Sequence, residues 1–163
     1  MKSSSPEAAS ALTAIQDTTA TRQQVWDQIA DGWTYSQWVV GNSRMRAVDP
    51  NWPAPDSTIR HSIGVWPLLL DDETVVAEGE PQRKIVLIAK GRPFGAARVT
   101  LQLTDIDGGC RIDMSEVPIS APLKWLPARV ALAAAWPRNR ECIRRLAALA
   151  ERLTPQEVDD ERR

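Results

Sequence analysis

Residues 97–116, ARVTLQLTDIDGGCRIDMSE, read as two strands and the turn that joins them. Ala97, Val99, Leu101 and Leu103 alternate with Arg98, Thr100, Gln102 and Thr104, which is the period-two pattern of a half-buried strand. Asp107-Gly108-Gly109 is a tight hairpin signal. The returning strand places Cys110, Ile112, Met114 and Glu116 on one face and Arg111, Asp113 and Ser115 on the other. A hairpin this well patterned calls for further antiparallel partners.

Those partners lie upstream. Residues 83–90, RKIVLIAK, form a strong strand with Ile85, Leu87 and Ala89 inward. Residues 74–80 form another, ended by Pro81. In residues 58–66, Ile59, His61, Ile63 and Val65 share one face. Residues 44–49 are a short candidate strand, followed by the rigid loop DPNWPAPDS with its three prolines. Residues 10–18 alternate weakly as a first strand.

Helices flank this meander. Thr21 and Gln24 make a capping box, so a helix is expected to start there, with Val25, Trp26, Ile29, Ala30 and Trp33 on its apolar face. Gly32 marks its end, and 35–40 is a second short helical piece. Pro137 is expected at the first turn of a final helix striped by Cys142, Leu146, Leu149, Ala150 and Leu153. The apolar stretch before it, 121–136, reads as a lid or helical lead-in.

Composition narrows the function. Of 163 residues, 20 are Lys or Arg and 21 are Asp or Glu, so no basic field for nucleic acid exists. One histidine excludes a multi-histidine metal centre, and no metal or cofactor is expected. The glycines form no phosphate loop, and no Gly-x-Ser-x-Gly elbow occurs. Asp71-Asp72-Glu73 reads as an exposed turn without the glycine of a calcium loop. No run suits a signal peptide or membrane span. Cys110 and Cys142 read as buried free thiols of a cytoplasmic protein. A single domain is expected over 10–153, between a flexible 1–9 and a charged flexible tail, 154–163.

The order strand, helix, about six strands, long helix resembles the helix-grip fold of the START/Bet v 1-like (SRPBCC) superfamily. Residues 21–42, TRQQVWDQIADGWTYSQWVVGN, resemble its opening, with Val25-Trp26, then Tyr35-x-x-Trp38, then Gly41. IRHSIGVWP (59–67) resembles the following strand of actinobacterial members, and PRNRECIRRLAALAER (137–152) their final helix. Within the superfamily the resemblance is to polyketide cyclase/dehydrase-like proteins. It implies an α+β fold in which a seven-stranded curved antiparallel sheet wraps a long C-terminal helix, with two short helices after the first strand. It also implies an apolar cavity between sheet and helix for a lipid-, sterol- or polyketide-like molecule. A monomer or weak homodimer is expected. Cyclase/dehydratase chemistry and a ligand-free regulatory role are the alternatives.

Against that cavity the inward residues gain candidate roles. His61 is a candidate base or ligand-orienting group, or a hydrogen-bonded polar residue of the interior. Glu116 is its candidate acid/base partner, or reaches solvent at the strand end. Ile59, Ile63, Leu87, Val99, Leu101, Ile112, Met114 and Leu146 are candidates for the wall or for ordinary core. Trp38, Trp66, Trp125 and Trp136 are candidates for the wall or mouth, since indole offers a broad apolar surface with one donor. Trp52 is expected to pin its loop to the sheet. The arginines at 138, 140, 144 and 145 read as a solvated face.

Overall fold

The computed structural model describes residues 13–91, 93, 95–122, 125 and 127–152. The expectations for segments 1–9 and 154–163 lie outside them. The chain runs β1 (Ala14–Thr18), α1 (Arg22–Ala30), a single 3₁₀ turn (Gly32–Thr34) and α2 (Tyr35–Trp38). Then come β2 (Asn42–Val48), β3 (Thr58–Val65), β4 (Leu68–Glu80), β5 (Lys84–Ala89), β6 (Ala97–Ile106), β7 (Gly109–Pro118) and α3 (Ala128–Glu151). The seven strands form one antiparallel sheet in the order β1-β7-β6-β5-β4-β3-β2. The sheet curves about α3, which packs on β7, β1, α1 and α2. This is the helix-grip arrangement that the sequence implies.

Local chemistry accounts for most boundaries. Thr21 Oγ1 accepts from Gln24 N at 3.2 Å, and Gln24 Oε1 accepts from Thr21 N at 2.7 Å, closing the box at the start of α1. The hairpin pairs Leu101 with Met114 and Leu103 with Ile112, all four buried. Val25, Trp26 and Ile29 of α1 join Ile143, Leu146 and Ala150 of α3 in the same core. Cys110 and Cys142 are buried and free.

Four sequence readings need correction. Trp33 is 57% exposed: α1 stops at Ala30, Asp31 caps a separate 3₁₀ turn, and the helical spacing from Trp26 no longer applies. Trp52 does pin its proline-rich loop, but to α1, donating from Nε1 to Ile29 O at 3.0 Å. Pro137 sits inside α3, not at its start. Five alanines in residues 128–136 carry the helix through the missing proline N–H. Finally, Asp71, Asp72 and Glu73 lie within β4 rather than in a turn. Weak strand propensity is overcome because each acid has a partner. Ser62 Oγ donates to Asp71 at 3.0 Å, Gly91 N donates to Asp72 at 2.9 Å, and Lys90 pairs with Glu73.

Candidate functional site

A cavity of about 520 Å³ opens between α3 and the β2–β4 side of the sheet. That is ample for a drug-sized ligand. Its lining is mostly apolar: Val39 and Val40 after α2, Ile63 on β3, Leu68 and Leu70 on β4, and Ala97 on β6. Gly64 adopts φ +103°, where a Cβ would lie 2.3 Å from Leu68 O, so only glycine lets the β3–β4 hairpin close here.

Polar groups gather at two places on this wall. In the first, strand register sets His61 opposite Asp72 and diagonal to Thr74. His61 Nε2 lies 3.1 Å from Thr74 Oγ1, and Tyr35 Oη lies 3.1 Å from the same oxygen. The Tyr35 ring tilts over His61 with centroids 5.3 Å apart and meets Trp38 edge-on. Burial pushes the Tyr35 phenol up to about 12, so it remains an O–H donor at neutral pH. In the second place, Arg138 of α3 reaches down to Glu116 of β7 in a hydrogen-bonded ion pair. Arg138 therefore does not simply sit on the solvated face, whereas Arg144 and Arg145 do, both holding Glu141.

His61 is 3% exposed. Burial holds its imidazole below the usual value of 6.5, against the attraction of Asp72 and together with repulsion from Arg46. Below the ordinary value the unfolded chain takes up a proton that the folded chain refuses, so stability falls as pH drops from there through the lower folded value. Thermal melts from about pH 7 to about pH 5 are expected to show this loss, and His61→Gln is expected to flatten that part of the profile. An unchanged slope in the variant would remove His61 as its source.

The candidates from the sequence divide by place. His61, Ile63 and Glu116 line the cavity. His61 and Glu116 are not hydrogen-bonded to each other, because each holds another partner and three strands separate β3 from β7. Ile59, Leu87, Val99 and Leu101 are buried in the closed core. So are Ile112, Met114, Leu146 and Trp38. Trp66, at the tip of the β3–β4 hairpin, is 82% exposed, and Trp125 is 79% exposed. Trp136 is half-buried against the core, with the Arg140 guanidinium 5.4 Å from its ring centre. Sequence reasoning missed Tyr35, Asp72, Thr74 and Arg138. A signal existed for two of them: the inward phase of Val76, carried back by twos, reaches Thr74, Asp72, Leu70 and Leu68. Among the described residues no cluster suits a metal ion. No helix among them is long and apolar enough to cross a membrane.

A family model described as "Polyketide cyclase / dehydrase and lipid transport" matches residues 11–153. A solved structure from Rhodobacter sphaeroides is similar with a TM-score of 0.65 at 24% identity, over 86% of this chain and 92% of that one. One from Nitrosomonas europaea has a TM-score of 0.65 at 11% identity, over 86% and 93%. The crystal structure of Ara h 8.0201 has a TM-score of 0.62 at 9% identity, over 86% and 96%. At such identities the likeness is one of fold. No curated relative matches the chain.

Proposed function

We propose, because this chain belongs to the polyketide cyclase/dehydrase and lipid transport family, that it binds a hydrophobic small molecule of lipid, sterol or polyketide type in the cavity beside α3. One observation carries the reading: about 520 Å³ of space walled by Val39, Val40, Ile63, Leu68, Leu70 and Ala97. A protein interior is otherwise packed without such voids. Removing an apolar ligand from water into this space is favourable at about 25 cal/mol per Å² of surface buried. β-Methylnaphthalene, an apolar bicycle with no hydrogen-bonding group, is a suitable probe. Calorimetric titration is expected to give saturable binding of one molecule per chain, with a negative heat-capacity change. Absence of saturable binding would overturn the reading.

A second reading, cyclase- or dehydratase-type catalysis, is favoured by the place of His61 on the cavity wall and its chain to Thr74 and Tyr35. It requires His61 as base without direct help from Glu116. Turnover of a poly-β-ketone, lost in His61→Ala with the fold intact, is the result that would support it. Turnover retained in the variant would remove His61 from any such mechanism.

A further inference from the structure

Two buried polar atoms on facing strands have no partner among the described residues: His61 Nδ1 on β3 and Asp72 Oδ1 on β4. Both residues line the cavity, and both are more than nine-tenths buried, at 3% and 7% exposure. Their other polar atoms are engaged. His61 Nε2 meets Thr74 Oγ1, and Asp72 Oδ2 accepts from Gly91 N. Native interiors rarely leave buried polar groups unmatched, so two on one register pair point to a missing group.

The hydrogen-bond chain and the neighbouring Asp72 acceptor together indicate what that group must offer. Thr74 Oγ1 has one proton to give, and it stands between Tyr35 and His61. If His61 Nε2 carried the proton, it and Tyr35 Oη would both donate to the two lone pairs of Thr74 Oγ1, and Nδ1 would be a bare acceptor on the same register pair as the acceptor Asp72 Oδ1. The opposite direction avoids setting two acceptors on one register pair. Tyr35 donates to Thr74, Thr74 donates to Nε2, and the imidazole proton resides on Nδ1. His61 then presents a donor and Asp72 an acceptor on one register pair. Asn42 Oδ1, also unpaired and on the same cavity wall, adds another polar atom at the start of β2.

A group that donates one hydrogen bond and accepts another at a single atom is a hydroxyl. We infer that His61 and Asp72 together form the recognition point for a hydroxyl carried by the otherwise apolar ligand, which donates to Asp72 Oδ1 and accepts from His61 Nδ1–H. This rests on the cavity reading above and specifies its ligand class: alcohols or phenols in preference to ketones, ethers or hydrocarbons. A ketone or ether oxygen satisfies His61 only and leaves the Asp72 oxygen facing another acceptor.

The test is a matched series titrated into the whole chain: β-naphthol, its methyl ether and β-methylnaphthalene. Wild-type protein is expected to bind β-naphthol about 10- to 100-fold more tightly than the ether, the range for a hydrogen bond to a charged acceptor. Asp72→Asn keeps the shape. Its amide oxygen is held by Gly91 N–H, so its NH₂ takes the place of Oδ1 and replaces acceptor by donor. The naphthol preference over the ether is expected to collapse to near parity in that variant. Equal wild-type affinity for all three would overturn the hydroxyl inference, with a water filling the gap, while leaving the cavity reading intact. No binding of any of the three would overturn both. The wild-type series alone decides the matter even where Asp72→Asn fails to fold.

Discussion

Truncation of Leu146 to alanine is expected to lower the free energy of unfolding by about 3–5 kcal/mol, a hundredfold or more in the folded-to-unfolded ratio. Leu146 is fully buried at the centre of the inner face of α3, where Asn139, Cys142, Ile143, Ala147 and Ala150 are buried with it at helical spacing. The residue joins the helix to a core containing Leu101, Ile112 and Met114 of the central hairpin. Its removal takes contacts from both layers at once, and the β-sheet backbone cannot follow to close the gap. A domain of this size holds only about 5–15 kcal/mol in total, so the variant should unfold at far lower denaturant. Urea melts followed by tryptophan fluorescence give the number. A loss below about 1 kcal/mol would mean that Leu146 faces empty space rather than packed core.

Enlarging Ile63 to tryptophan is expected to have the opposite character: little effect on folding and a large effect on binding. Ile63 is only partly buried because its side chain borders the cavity. An indole there grows into open volume, so the usual overpacking penalty does not arise. The space it takes is the space a ligand needs. Displacing about 120 Å² of apolar contact at about 25 cal/mol per Å² costs about 3 kcal/mol, roughly a hundredfold in the Kd for β-methylnaphthalene. Unfolding stability is expected to stay within about 1 kcal/mol of wild type. Unchanged affinity would place the ligand elsewhere.

The contrast between these residues shows which parts of the molecule are legible in sequence. Leu146 and the hairpin of residues 97–116 follow period and polarity, because a half-buried strand or helix repeats its signal every turn or every second residue. The capping box at Thr21 is equally local. His61 and Ile63 also follow the alternation of β3, although the same pattern runs on to Val65, which is 80% exposed at the hairpin tip. What fails is whatever depends on a partner distant in sequence. The acidic run 71–73 looks like a turn until β3 and Lys90 supply its partners. Arg138 looks solvated until β7 brings Glu116 beneath it. Trp66 and Trp125 look like wall residues because indole suits a cavity, yet they stand at exposed positions that no local pattern distinguishes from buried ones. Leu87, Val99 and Leu101 carry the same inward signal as Ile63, and only the three-dimensional course of α3 separates filled core from open cavity.

The central claim is that an apolar molecule occupies the space beside α3. Intermolecular nuclear Overhauser effects from bound β-methylnaphthalene test it most directly. Cross-peaks are expected to the methyl groups of Ile63, Leu70 and Ala97, which line the cavity. Cross-peaks confined to Val65 and Trp66 at the exposed hairpin tip, or none to the protein interior, would contradict it.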